Sequence, residues 1–277
     1  IYRKTLLPNY GVFDEKRYFF PAGRHQLFTC KDIKFGITIC EDLWEVRPSE
    51  VLARAGCRLL LNIYASPYHA GKLPARQKLF AARARANHVA IAHCNLVGGQ
   101  DELVFDGGSL ILDVHGRLLA RGRQFQEDFL VCDVEPSHLG QPRVRRGRGI
   151  AIPLSLPQRP ALHASLKPAL DPAEEIYEAL VLGVRDYVTK NGFSTVLLGL
   201  SGGIDSALTA CLAVDALGAA CVKGLVMPSR YSSHATQADA RQLAANLGVE
   251  TREISIEPVF RAYLSTLKRC VKGRQAD

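Results

Sequence analysis

TVLLGLSGGIDSALTACLAVDALG, residues Thr195 to Gly218, decides how the second half of the chain is read. Thr195 to Leu200 is a short apolar run, rich in Val and Leu, of the kind that forms a buried strand. Ser201-Gly202-Gly203-Ile204-Asp205-Ser206 follows, and then an Ala- and Leu-rich stretch that suits a helix. A strand, a glycine turn and a helix present backbone N–H groups and a helix N-terminus to an anion, usually a phosphate. The glycines permit left-handed backbone angles and close approach, and the Ser201 and Ser206 hydroxyls add donors. A carboxylate at Asp205 suits such a loop only beside a cation such as Mg²⁺, which takes oxygen ligands and bridges phosphates. A Walker A loop needs GxxxxGK[ST] and a dinucleotide turn needs GxGxxG, and the stretch holds neither. The plain alternative is an ordinary tight strand-to-helix turn.

The SGGxDS pattern resembles the PP-loop of the ATP pyrophosphatases, enzymes that split ATP between its α- and β-phosphates. The resemblance implies ATP binding by Gly199, Leu200, Ser201, Gly202, Gly203, Ile204, Asp205 and Ser206, with Asp205 holding Mg²⁺. Upstream, Asp171-Pro172-Ala173-Glu174 reads as a helix start, with an N-cap, Pro at the first position and an acid at the third. Ile176, Leu180, Val184 and Val188 then form one apolar stripe that ends near Asn191-Gly192. Downstream, Cys221 to Met227 predicts a second strand. Thr236 and Asp239 are expected to cap another helix ended by Gly248, and Thr251 to Ile256 predicts a third strand. The order β-α-β-α-β predicts a doubly wound parallel sheet with its ligand at the carboxyl ends of the strands. VMPSRYSS, Val226 to Ser233, looks like the segment after the second strand of NAD synthetases. That likeness puts adenine against Met227 and an ATP phosphate near Arg230; read alone, Met227 is equally gap-filling core and Arg230 a solvated charge.

The first half also alternates strands with helices. Strands are predicted at Ile1 to Tyr10 (broken at Pro8-Asn9), Gly36 to Cys40, Arg58 to Tyr64, Val89 to Asn95 and Phe129 to Val134. A basic helix is expected over Leu73 to His88, and a hairpin at His115-Gly116 joins Leu110–Val114 to Leu118–Leu119. Cys40 stands at a strand end where the chain turns sharply into Glu41-Asp42-Leu43-Trp44, as a nucleophile held up to a substrate does. A thiol with its ordinary pKa of about 8.5 is mostly protonated at neutral pH, so it needs a cation or base close by. Lys4 is the best candidate for the cation. Cys57, Cys94, Cys132, Cys211 and Cys221 sit in apolar runs and read as core thiols. The eight histidines have no ligand spacing.

YRKTLLPNYGVFDEKRYF, Tyr2 to Phe19, and GITICEDLWE, Gly36 to Glu45, resemble the lysine and cysteine segments of the nitrilase, or carbon–nitrogen hydrolase, superfamily, which uses a Glu-Lys-Cys triad. The resemblance implies that Cys40 attacks an amide carbon and that Lys4 stabilises the oxyanion and the thiolate. It makes Glu15 an auxiliary glutamate, and Tyr10, Ser66 and Lys72 the residues that hold a glutamine substrate. Lys72 stands where some relatives carry Arg, and it offers a point charge without the bidentate fork. The triad's glutamate is expected before Lys4, ahead of Ile1. The chain opens on Ile1, its only methionine is Met227, and it is read as a piece of a longer protein, not a working amidase as it stands.

The 277 residues carry 47% hydrophobic content and a net charge of +8. That length allows one large domain or two modest ones. No apolar run approaches the ~20 residues of a membrane span, and no signal peptide is seen, so the default expectation is cytoplasmic. The cysteines form no CxxC pair, which favours reduced thiols over disulfides or zinc. Residues 136–170 hold six prolines and the run Arg143-Val144-Arg145-Arg146-Gly147-Arg148, and read as a linker. Without interleaved aromatics, its arginines are weak evidence for nucleic acid, and none is expected.

Taken together, residues 1–135 predict the C-terminal half of a nitrilase-like α-β-β-α sandwich, and residues 171–277 the first part of a doubly wound PP-loop domain. That combination is similar to the glutamine-dependent NAD⁺ synthetases. It implies ATP and Mg²⁺ as cofactors, glutamine and deamido-NAD⁺ as substrates, an internal route for ammonia, and a homo-oligomer for the full-length protein. Two other readings stay open: a different PP-loop ATP pyrophosphatase fused to an amidase, and an inactive piece that binds ATP only.

Overall fold

The structure, a computed structural model, describes residues 1–140, 149–153, 160–162 and 164–268. It divides into two units, one made of Ile1–Gly98 and Glu102–Ala179, the other of Gly99–Asp101 and the chain from Leu180 onward.

In the first unit, β1 (Leu27–Cys30) and β2 (Ile33–Ile39) form an antiparallel hairpin whose turn sets Lys31 at φ 50. From β2 the chain enters α1 (Glu41–Trp44) and α2 (Val46–Arg54), then returns as β3 (Leu59–Tyr64). α3 (Lys72–Asn87) leads to β4 (Ala90–Asn95), and β2, β3 and β4 run parallel. β5 (Val97–Gln100) and β6 (Leu103–Asp106) make a separate two-stranded sheet. β7 (Leu110–Leu112) and β8 (Leu118–Arg121) are the expected hairpin, turned at Gly116 with φ 71. β9 (Ile150–Ala151) joins β1, and the large sheet has the order β8-β7-β4-β3-β2-β1-β9.

The period of two along β3 buries Leu60, Asn62 and Tyr64 and leaves Ile63 59% exposed on the other face. Against the buried face α3 presents Leu73, Arg76, Phe80, Ala84 and Asn87, spaced by three and four. Leu43, Leu52 and Phe80 from the helices meet Leu60, Ile91 and Leu112 from the sheet in one core.

Two expected strands are absent. Residues 1–10 make no ladder because the buried carboxylate of Asp42 takes the amides of Thr5 and Leu6, and Lys4 offers its carbonyl to the amide of Ala22. Residues 129–134 are also without ladder bonds, although apolar. The open edge of β8 is taken by the 136–170 segment, where the amide of Arg121 donates to the carbonyl of Ser165 and the amide of Lys167 to that of Arg121. The described part of that segment is therefore packed on the unit. The arginine run 143–148 lies outside the described residues.

α4 (Pro172–Lys190) starts as read, with Asp171 Oδ1 accepting from the amides of Ala173 and Glu174. In the second unit β10 (Val196–Gly199), α5 (Ile204–Leu217), β11 (Val222–Val226), α6 (His234–Leu247) and β12 (Glu250–Glu253) alternate, and the strands are parallel in the order β10-β11-β12. Ala210 of α5 and Ala240 and Ala244 of α6 pack with Leu200 and Val226. α6 is capped by Ser233, whose hydroxyl accepts from the amide of Thr236; Thr236 lies inside the first turn and is not the cap. α7 (Glu257–Leu267) has no counterpart in the sequence reading.

Candidate active sites

Cys40 follows the last residue of β2 and precedes α1, with φ 46 and ψ −105, a backbone region that L residues other than Gly rarely adopt. The amide of Cys40 donates to the carbonyl of Ile63 (2.8 Å) and its carbonyl accepts from the amide of Leu43 (3.0 Å), which holds the sharp turn. The thiol belongs to a cavity of about 600 Å³ whose walls include Lys4, Glu15, Tyr18, Phe19, Tyr64 and Ala65. Lys4 Nζ donates to both carboxylate oxygens of Glu15 at 2.6 Å. Burial pushes the Cys40 thiol above its ordinary value. The Lys4 charge and the Ala65 amide pull it back down, and Glu41 and Glu15 push it further up.

The structure therefore brings Cys40, Lys4 and Glu15 together. Ser66 and Lys72 are buried and bonded to each other, with Lys72 Nζ donating to Ser66 Oγ (2.6 Å) and to the Pro67 carbonyl. Burial lowers the Lys72 pKa, against the pull of Asp106. Tyr10 lies apart from that pair. It is 59% exposed, lines a neighbouring cavity with Glu41 and Glu45, and its hydroxyl donates to the Glu41 carboxylate at 2.9–3.0 Å. Burial and Glu41 push the Tyr10 phenol up to about 12.

In the second unit the loop after β10 leaves the first turn of α5 without a side-chain cap. The hydroxyls of Ser201 and Ser206 are 3.0 Å apart, and Ser201 Oγ accepts from the amide of Gly203 (3.2 Å). These bonds shape the loop, and the first helical amides, of Ile204, Asp205 and Ser206, follow an N-cap glycine that supplies no side-chain acceptor. Gly202 has φ 83, and a Cβ there would sit 2.0 Å from the carbonyl oxygen of Thr236. Only glycine fits between the loop and α6. A cavity of about 240 Å³ at the ends of β10 and β11 is lined by Gly199, Leu200, Ser201, Met227, Pro228 and Gln237 among others. Met227, 45% exposed, is thus placed beside the loop and not in the core. Arg230 is engaged elsewhere. Its guanidinium forms an ion pair with Glu257 and lies 5.1 Å from the Phe260 ring centroid.

A carbon–nitrogen hydrolase model matches residues 1–143. The chain belongs to that family. An NAD synthase model matches residues 176–275. Among curated relatives, the chain is 45% identical to the glutamine-dependent NAD(+) synthetase of Thermotoga maritima, over 100% of the chain and 50% of the relative. It is 42% identical to that of Aquifex aeolicus, over 97% and 50%. The chain spans about half the length of the curated relatives it matches. Among solved structures, the glutamine-dependent NAD⁺ synthetase from Acinetobacter baumannii, in complex with ADP, superposes with a TM-score of 0.85 at 36% identity, covering 100% of this chain and 49% of that one. A synthetase from Cytophaga hutchinsonii, at 20% identity and a TM-score of 0.72 over 97% of this chain and 49% of that one, is alike in fold.

Sequence reading passed over three features of the hydrolase half. Asp42, fully buried, accepts five hydrogen bonds two residues after the cysteine. Arg76 and Asp106, both fully buried, form a bidentate pair (3.0 and 2.9 Å) that Asn95 joins. Its signal was an arginine at the helical spacing of Leu73 and Phe80, the buried face of α3. Tyr64, on the cavity wall, accepts from Trp44 Nε1 at 2.7 Å, and burial raises its phenol to about 12. His93 is a satisfied core histidine on one side only: Nδ1 meets Asn62 Oδ1 at 2.8 Å, and buried Nε2 has no partner.

Proposed function

We propose that the chain carries two reaction centres of a glutamine-dependent NAD⁺ synthetase, with residues 1–135 from a glutaminase domain, 136–170 a linker, and 171–277 from an ATP-dependent synthetase domain. The observation that carries the reading is the cavity Cys40 and Lys4 share, in one polypeptide with a helix N-terminus that has no side-chain cap. Cys40 sulfur attacks the carboxamide carbon of glutamine, the Lys4 ammonium steadies the oxyanion, and ammonia leaves as a thioester forms. Water then cleaves the thioester to glutamate. Because burial keeps the thiol protonated near neutrality, a base must take its proton, and the resemblance assigns that base to a glutamate ahead of Lys4. Ser66, Lys72 and Tyr10 are assigned to holding glutamine.

In the second centre the carboxylate of deamido-NAD⁺ displaces pyrophosphate from ATP, and ammonia displaces AMP from the resulting acyl-adenylate. The first-turn amides of Ile204, Asp205 and Ser206, with the Ser201 and Ser206 hydroxyls beside them, suit the phosphates once the bonds between those hydroxyls open, and Met227 suits the adenine face. Arg230, paired with Glu257, is a candidate for ATP only if that pair opens. Among the described residues no three His, Cys, Asp or Glu side chains gather into a metal cluster. The exposed Asp205 carboxylate in the first turn of α5 fits a hard cation held mainly by substrate phosphates. Bound there, Mg²⁺ would supply charge neutralisation at the phosphates.

Reduced thiol chemistry at Cys40 fits a cytoplasmic setting, and among the described residues no helix is long and apolar enough to cross a membrane. The relatives favour this reading over a different ATP pyrophosphatase joined to an amidase. The test supplies the intact protein with amide-labelled ¹⁵N-glutamine, ATP, Mg²⁺ and deamido-NAD⁺. The reading expects ¹⁵N in NAD⁺ and stoichiometric AMP; ATP turnover that ignores deamido-NAD⁺ would overturn it.

A further inference from the structure

We infer that Asp42 is the positioning residue that sets Lys4 against Cys40, an inference that rests on the glutaminase reading above. Lys4 lies on a segment with no ladder, so something other than a sheet must fix it. Asp42 Oδ1 accepts from the Thr5 amide (3.1 Å), the Thr5 hydroxyl (2.6 Å) and the Leu6 amide (2.8 Å). Oδ2 accepts from the Tyr2 hydroxyl (3.1 Å) and from the amide of Ile39 (3.1 Å). Lys4 is thereby bracketed on both sides, at Tyr2 and at Thr5-Leu6.

The same carboxylate clamps the other partner. Its bond to Ile39 spans the turn in which Cys40 holds its positive φ, so one side chain ties the lysine segment and the cysteine elbow to a single point. Asp42 is fully buried, and among the described residues no cation forms an ion pair with it. A carboxylate held in the interior by neutral donors is costly to keep unless every lone pair is used. Here the five donors use them, and all five belong to the two segments that must meet. An asparagine would point an N–H₂ group at these donors and could not reproduce the set.

The experiment uses the intact protein and two variants, Asp42→Asn and Thr5→Val, with three readouts: kcat and KM for glutamine hydrolysis, ammonia-dependent NAD⁺ synthesis, and the pH profile of Cys40 alkylation by iodoacetamide. Lys4, Tyr10, Glu15, Glu41, Tyr64 and Lys72 act electrostatically on the thiol, Arg3 and Tyr18 line the same cavity, and only Lys4 is expected to move. Asp42→Asn should lower glutaminase kcat by about 100-fold with KM within about 3-fold, as a displacement near 1 Å does. Its alkylation midpoint should rise, because Lys4 no longer favours the thiolate, while ammonia-dependent synthesis stays within about 2-fold. Thr5→Val should move the same readouts in the same direction by less. An Asp42→Asn protein with wild-type kcat, or a loss of kcat with an unmoved alkylation midpoint, overturns the inference. If Asp42→Asn also loses ammonia-dependent synthesis, it has failed to fold and Thr5→Val decides: an unmoved midpoint there overturns the inference. Absence of glutaminase activity in the wild type would sink the glutaminase reading, and the alkylation profile would still test the clamp.

Discussion

Lys4 Nζ lies 2.6 Å from each carboxylate oxygen of Glu15, on the wall of the cavity that holds the Cys40 sulfur. The pair is a divided charge. Lys4 pulls the thiol toward ionisation, and Glu15 both anchors Lys4 and opposes that pull. Replacing Glu15 by Gln removes an opposing charge, so the alkylation midpoint of Cys40 should fall, whereas Lys4→Met should raise it. Glutamine hydrolysis should drop in both, since Lys4 is either unanchored or gone. Iodoacetamide kinetics from pH 6 to 10, beside a glutaminase assay, check the two signs.

Gly202 is the most closely packed of the described glycines in the second unit. A methyl group there meets the Thr236 carbonyl oxygen at 2.0 Å and its carbon at 2.7 Å, on a residue whose φ is 83. Gly202→Ala must move α6 or the loop, and the left-handed strain alone costs about 1–3 kcal/mol. ATP affinity by calorimetry should fall at least about 10-fold, and iodoacetamide alkylation of Cys40 should be unchanged.

Arg76 and Asp106 stabilise the first unit only as a pair. Arg76→Met leaves a buried carboxylate unpaired, which costs about 3–5 kcal/mol, whereas Arg76→Met combined with Asp106→Leu should recover much of that loss. Urea midpoints of the two variants measure the difference; equal midpoints would count against an essential pairing.

His93 makes the first unit acid-sensitive. Burial, with Arg76 close by, holds its imidazole well below the usual range. The folded pKa is therefore lower than the unfolded value of about 6.5, and the unfolded chain binds the proton first. Stability from this group is full above about pH 6.5 and falls as pH drops below it, by up to about 1.4 kcal/mol per pH unit. His25, also lowered by burial, adds in the same sense. Denaturant midpoints at pH 5 to 8 should show a flatter slope for His93→Gln than for the wild type.

Much of this was legible in the sequence wherever a local pattern dictated the element. The glycine loop, the Asp171 cap, the basic helix α3 and the β7–β8 hairpin each follow from residues close in sequence, whereas the stripe read in α4 does not hold, since Ile176 and Leu180 are exposed. What was missed depended on distant partners. Residues 1–10 have strand composition but form no ladder, and the amides of Thr5 and Leu6 serve a carboxylate 36–37 residues away. Residues 129–134 have strand composition but no ladder bonds, and the open edge of β8 is taken instead by backbone from 165–167. β1 hides behind a turn that uses Lys31 at positive φ where a glycine would have announced it. Met227 and Arg230 show the same limit: one faces the loop cavity and the other is bound to Glu257, and no local signal separates them.

The division of labour between the two centres is the claim with the most at stake, and Cys40→Ala in the intact protein tests it most directly. NAD⁺ formation is measured with glutamine and, separately, with ammonium chloride at saturating concentration. Synthesis from glutamine should vanish while synthesis from ammonia stays within about 2-fold of wild type, because the proposed scheme uses Cys40 only to release ammonia from glutamine. Loss of both activities in a folded protein, or survival of the glutamine-dependent one, would contradict the account.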